Sequence, residues 1–307
     1  MTKLRLIAGL VLVLALGTAC TLEPDQVLPP LPPGRAIAYV SQGIGFRPDI
    51  FVLSADARAD SNVTLHQLYD FWPSWSPDGS QIAFESNRDD TLKTEVYVIT
   101  LSTGGLLRLT EDTGFVDGQP AWSPLGDRIA FASDRDSAGT DIYLMDVSGG
   151  NVVRLTTDSG NDGQPTWSPT GDRIAFVSDR IGGGGGGTDI FVMDTLGNNV
   201  VNLTNNSSVD LAPAWSPDGA KIAFHSDRDP AGFAVWVMDA NGANPVRISP
   251  TDPPCELPSW KSDGLQIAFD CDGDIYVANP DSTNRQRITR TTNSQRLETM
   301  PRWKPVP

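Results

Sequence analysis

The sequence predicts an all-β protein, a six-bladed β-propeller built from four-stranded antiparallel blades. Three observations carry that prediction. A Pro-x-Trp triplet recurs with its tryptophan at Trp75, Trp122, Trp167, Trp215, Trp260 and Trp303, at steps of 47, 45, 48, 45 and 43 residues. A period of this size with several short strands per unit marks a propeller. The repeat also runs well past the triplet: Trp122-Ser-Pro-Leu-Gly-Asp-Arg-Ile-Ala-Phe-Ala-Ser-Asp-Arg135 is matched by Trp167 to Arg180, and with few changes by Trp215 to Arg228 and Trp75 to Arg88. Finally, the two ends of the chain are incomplete in complementary ways.

One unit, Asp117 to Thr156, shows the elements in order. Gln119 to Ser123 reads as a short strand whose proline suits a strand start. Pro124 to Asp127 carries turn residues, and Arg128 to Ser133 alternates and is rich in strand formers. Asp134 to Thr140 is a polar loop, Asp141 to Asp146 a third strand, Ser148 to Asn151 a turn and Val152 to Thr156 a fourth strand. Four antiparallel strands repeated radially make one blade each. Ahead of the first triplet, Ala36 to Ser41, Asp49 to Leu53 and Val63 to Leu68 supply three strands without a Pro-x-Trp strand. After the fifth full unit, Met300 to Trp303 supplies the missing one. Five blades plus one composite give six, and closing the ring this way protects both sheet edges.

Residues 1–19 read as a signal peptide of the lipoprotein type. Lys3 and Arg5 precede an apolar run, Leu6 to Leu16, of eleven residues. A membrane-spanning helix needs about 20. The run ends in Leu16-Gly-Thr-Ala-Cys20, which resembles the lipobox of bacterial lipoproteins, so Cys20 is the expected lipidation site. Gly17 stands where that motif usually has leucine, and ordinary cleavage after Ala19 is the alternative. Residues 20–34 form the lipidated cysteine and a proline-rich tether, five prolines in the fourteen residues from Thr21, reaching at most ~43 Å at ~3.1 Å per residue. A disordered tail without mechanical role is the other reading. Residues 35–307 form the propeller as one domain. Without Lys3 and Arg5 the chain has 21 basic and 38 acidic residues, a charge of -17. That argues against nucleic acid and anionic lipid as partners and suits a basic one.

The units Trp-Ser-Pro-Asp-Gly, Ile-Ala-Phe-x-Ser-Asp-Arg and Asp-Ile-Tyr-Val-Met-Asp resemble the repeat of the TolB-type six-bladed propeller, found also in the propellers of tricorn protease and the prolyl oligopeptidases. The resemblance spans Arg35 to Trp303. It implies a protein of the cell envelope whose partner is an envelope protein or peptide. TolB proteins carry a separate N-terminal domain, which is not expected here, so their role in the Tol–Pal system does not carry over. Nor is the hydrolase domain attached to prolyl oligopeptidase propellers expected.

The repeated residues are expected to be structural. Each tryptophan can bury ~150–250 Å², at most ~4–6 kcal/mol of transfer free energy at ~25 cal/mol per Å². Arg88, Arg135, Arg180 and Arg228 are expected to form ion pairs within the blades. Five residues before the tryptophans stand Asp70, Asp117, Asp162, Asp210, Cys255 and Glu298; sixteen after the first five stand Ser86, Ser133, Ser178, Ser226 and Cys271. Ring closure matches Glu298 with Ser41. The two positions should oppose each other on the first hairpin of each blade, where Cα separations of ~4.5–5.5 Å suit a disulfide. Cys255 and Cys271 replace both partners at once, so a disulfide is expected there, with two free thiols as the alternative.

Strand direction gathers the inter-blade loops and the loops between second and third strands around one mouth of the channel. Loops that vary on a rigid ring are where specificity is expected: Gly43 to Pro48, Phe71-Trp72, Glu111 to Gln119, Gly182 to Gly187, Asp229 to Phe233 and Arg290 to Met300. Their large residues, Phe46, Arg47, Phe71, Trp72, Phe115 and Phe233, are the expected partner-binding set, an aromatic and arginine group of hot-spot type. Loop packing is the competing reading. Asp112, Asp117 and Asp162 nearby would favour a basic partner.

No catalytic constellation emerges. His66 and His225 are the only histidines, each in an expected strand, and no His-Glu-x-x-His, Gly-x-Ser-x-Gly, Cys-x-x-Cys or phosphate loop occurs. Asp270-Cys-Asp-Gly-Asp274 lacks the later glutamate of a calcium loop and reads as a tight strand connection. No catalytic residue, metal or cofactor is therefore expected. The function read from the sequence is non-enzymatic binding of a protein or peptide, by an exported, membrane-tethered and monomeric lipoprotein at the periplasmic or outer cell surface. The alternative is a glycan-directed binder or lyase-like protein, since some propellers with these repeats act on uronate sugars.

Overall fold

The computed structural model describes residues 36–42, 47–53, 60–111, 114–136, 139–180, 187–289 and 297–305. They form six four-stranded antiparallel sheets arranged as a ring. Blade I is composite: Leu297–Trp303 is its inner strand, followed by Ile37–Gln42, Pro48–Leu53 and Asp60–Asn62. The inner strands of blades II to VI are Asp70–Trp75, Asp117–Trp122, Asp162–Trp167, Asp210–Trp215 and Cys255–Trp260. The expected six blades and C-terminal ring closure are present. The closing strand starts earlier than expected, at Leu297, and runs antiparallel to Ile37–Gln42 with Glu298 opposite Ser41.

Two expectations at the blade I–II junction need correction. The outer strand of blade I is Asp60–Asn62, and residues 63–69 form a loop. The Asn62 side-chain oxygen accepts the N–H groups of Thr64 and Leu65 (3.1 and 3.0 Å), an Asx-turn that bends the chain out of the sheet. His66 therefore sits in a loop, where its Nδ1 accepts the Leu68 N–H. Phe71 and Trp72 lie within the inner strand of blade II, not in a loop. The Asp272-Gly273 connection is tight as expected, with φ of 53° and 79°, the two left-handed residues of a type I′ hairpin turn.

Each tryptophan packs between blades. Trp122 sits with Ala83, Val96 and Val98 of blade II and Ile129 and Phe131 of its own blade. Trp303 seals the last interface with Ala268, Ile275 and Val277 of blade VI. The core is thus a ring of inter-blade layers, which explains the alternation of apolar residues on both faces of the second and third strands.

The Ser-Asp-Arg signature is accounted for by hydrogen bonding. In blade III, Arg135 donates from Nε to Ser133 Oγ (2.9 Å) and from Nη2 to both Asp117 oxygens (2.8 Å), and its guanidinium lies over Phe131 and Tyr143. Asp134 accepts the Val116 N–H of the incoming loop (2.7 Å). Arg88, Arg180 and Arg228 repeat the ion pair with Asp70, Asp162 and Asp210. In blade VI, Gly273 holds the arginine position and Cys255–Cys271 form a disulfide, with Cα atoms 4.3 Å apart. A covalent link stands where blades II to V use an ion pair.

Candidate functional site

Subtracting these structural residues leaves the central channel and its loop-side mouth. Every inner strand carries a bulge two residues after its acidic or cysteine position. The residue there, immediately before the Pro-x-Trp proline, is left-handed in all six blades: Trp72, Gln119, Gln164, Ala212, Leu257 and Met300 have φ between 50° and 56°. None is glycine, so each is locally strained. Side chains of the preceding blade compensate by capturing the freed N–H groups. Glu85 accepts from Gln119 (2.8 Å), Gln119 from Gln164 (2.7 Å), Gln164 from Ala212 (2.6 Å) and His225 Nδ1 from Leu257 (3.2 Å). Asp270 serves the Met300 N–H and accepts the Thr299 hydroxyl. Glycines make room for two of these acceptors. A Cβ on Gly118 would lie 2.1 Å from Glu85 Oε2, and one on Gly163 2.7 Å from Gln119 Oε1.

Burial sets the charge of this girdle. It pushes Glu85 up to about 7 against the Gln119 N–H that stabilises its anion. It also pushes Asp270 up to about 7, helped by the charge of Glu256 and opposed by Thr299. Glu256, opposite Asp270 on the same hairpin, is raised by burial as well. His225 is held neutral, its pKa lowered to about 3. Their shared role was missed in the sequence because Glu85, His225 and Asp270 occupy the variable position just before the repeated serine or cysteine, and Glu256 the equally variable one after Cys255. Between the girdle and the turn-rich face lies a cavity of about 300 Å³ walled by the Pro-x-Trp strands, including Trp72, Gln119, Gln164 and Arg302. Among the described residues no group of three His, Cys, Asp or Glu side chains gathers as a metal site.

The expected partner-binding residues are dispersed. Trp72 is half-buried in the channel wall. Phe71 is half-buried and stacks on Tyr69 (centroids 6.3 Å apart), an exposed ring the sequence reading passed over. Phe115 is exposed in the loop between blades II and III, and Arg47 is exposed at the edge of blade I. Phe233 is half-buried against the edge of His225 (5.4 Å). Phe46, Asp112 and Cys20 lie outside the described residues.

A six-bladed ring, sealed by inter-blade tryptophans and closed by its C-terminal strand, defines a repeat-built propeller. The profile of the TolB β-propeller domain matches residues 90–185 and 184–305, and the chain belongs to that family. No curated protein sequence matches it. TolB from Acinetobacter baumannii is 26% identical with a TM-score of 0.73, over 88% of this chain and 67% of that one. A putative TolB from Agrobacterium tumefaciens is 19% identical with a TM-score of 0.63, over 89% and 100%. An oligogalacturonate lyase from Vibrio parahaemolyticus, 13% identical with a TM-score of 0.58 over 84% and 75%, shares the fold.

Proposed function

We propose that the protein is a non-enzymatic cell-envelope propeller that holds a protein or peptide at its loop-side mouth. One observation carries the reading. The loops flanking blade II expose Leu65, Tyr69, Leu92 and Phe115, with 79, 44, 85 and 37% of their surfaces accessible, and Phe71 backs Tyr69. Inter-blade layers do not require these groups, and large apolar side chains gathered in the loops of one face fit protein recognition. Asp89, Asp90 and Glu111 are exposed beside them, which favours a partner with basic character and salt-sensitive association. The family membership, the disulfide and the signal-like N-terminus together support export, since disulfides persist in oxidising compartments. The partner-binding set becomes Phe71 and Phe115 with Tyr69 added; Trp72 faces the channel, and Arg47 and Phe233 belong to blades I and V.

The test compares partner recovery from native envelopes by the wild type and by Tyr69→Ala/Phe115→Ala. Loss of a hot-spot pair weakens the complex by ~2 kcal/mol or more, about thirtyfold, with an unchanged melting temperature. Equal recovery by both proteins would refute the assignment.

A further inference from the structure

The position between proline and tryptophan in the triplet is small in five blades: Ser74, Ala121, Thr166, Ala214 and Ser259. In blade I it is Arg302. This arginine lines the central cavity and, among the described residues, is the only charged one that does; the walls are otherwise Pro, Trp, Ser, Thr, Ala and Gln. Among the described residues it makes no ion pair, and its Nη1 donates to the carbonyl of its neighbour Pro301 (3.0 Å). The contrast with Arg88, Arg135, Arg180 and Arg228, each locked onto an aspartate, is sharp. Burial alone lowers its pKa to about 10, with no carboxylate to hold it up.

The rest of the cavity offers neutral donors. The rings of Trp122 and Trp215 line it, with their indole N–H groups enclosed at the blade interfaces, where those of Trp75, Trp167 and Trp260 donate to the carbonyls of Arg302, Ala121 and Ala214. Ser74 and Ser259 Oγ accept the backbone N–H groups of Trp122 and Trp303 (2.9 and 3.2 Å), which leaves their hydroxyl protons free to donate. A desolvated cation without a carboxylate partner is costly, and a native site that keeps one calls for an explanation. Nothing in blade packing requires an arginine at residue 302, because five blades use a small residue there.

We propose that the central cavity is a binding site for one carboxylate group, received by the Arg302 guanidinium. A single cation in a neutral, donor-lined wall matches a monoanion, and the planar guanidinium fork matches a carboxylate in bidentate geometry. A phosphate dianion would leave a second charge uncompensated away from water. A volume of about 300 Å³ is at the small end of ligand pockets, so the carboxylate belongs to a small molecule or a chain end. A peptide end and an acidic sugar both present it. This site is separate from the loop-side surface proposed above and stands or falls independently of it.

Ligand-observed NMR on the mature protein tests this with two probes, N-acetyl-alanine and D-galacturonate, each set against its neutral counterpart, N-acetyl-alanine amide and D-galactose. At least one acid should bind more tightly than its neutral counterpart, and which one does identifies the source of the carboxylate. Arg302→Gln should weaken that probe about tenfold to a hundredfold, with Arg302→Lys between the two. The wild-type comparison of acid with neutral probe decides the matter even if Arg302→Gln fails to fold. The proposal is overturned if neither acid binds at millimolar concentration, if acid and neutral probes bind alike, or if folded Arg302→Gln binds as tightly as the wild type.

Discussion

Replacing Cys255 and Cys271 together by alanine should destabilise the propeller by the cost of one cross-link. The bond spans 16 residues, and in the chain-entropy description a loop of that length contributes about 3 kcal/mol by restricting the unfolded chain. Over the 273 residues from Arg35 to Pro307, an unfolding entropy of ~2.1 cal/mol/K per residue converts this to a fall in melting temperature of ~5 °C. Blade VI lacks the aspartate–arginine pair found in blades II to V, so no second contact replaces the lost bond. The assay is differential scanning calorimetry of wild type and double variant, with and without reductant, alongside intact mass. Reduction should add two hydrogens to the wild type, lower its melting temperature toward that of the variant and leave the variant unchanged. An unchanged melting temperature in the double variant, or no gain of two hydrogens, would refute the reasoning.

Ring closure predicts that deleting Pro301 to Pro307 opens the propeller. The deletion removes Trp303, 5% exposed and worth at most ~4–6 kcal/mol by burial, so the fall should exceed that of the disulfide variant in a thermal melt. Stability should also depend on the Glu85 proton. Its pKa rises from 4.5 to about 7 on folding, so between those values the folded state binds more proton than the unfolded and stability falls as pH rises. Glu85→Gln should make this fall shallower in a denaturation series across that window, the remainder coming from Asp270, raised from 3.8 to about 7, whereas His225, lowered from 6.5 to about 3, contributes the opposite slope, with stability lost as pH falls below 6.5. Lipidation predicts that wild type enters the detergent phase on phase separation and that Cys20→Ser does not; an aqueous wild type would indicate plain secretion.

The architecture was legible because the repeat copies its own structural chemistry. Trp75, Trp122 and their equivalents announce the blades, and the paired change from aspartate and serine to Cys255 and Cys271 reports a contact between residues sixteen apart. The channel was far less legible. Glu85, His225 and Asp270 occupy a position held elsewhere by Val40, Ala132 and Val177, so no shared pattern marks them. Their role depends on a left-handed bulge in the next blade that hydrophobic alternation does not encode. For the same reason Phe71 and Trp72 read as loop residues, since a bulged strand interrupted by proline loses its period of two. Tyr69 went unnoticed because its exposure depends on the loop that Asn62 turns outward.

The central claim is that partner recognition lies on the loop face of blade II. Site-specific photo-crosslinking in the native envelope tests it most directly, with the crosslinking residue placed at Phe115 and, on the turn-rich face, at Leu125, which is 68% exposed. The account predicts a discrete crosslinked species from position 115, reduced by Tyr69→Ala in the same chain, and none from position 125. A species formed from position 125 and not from 115 would contradict it.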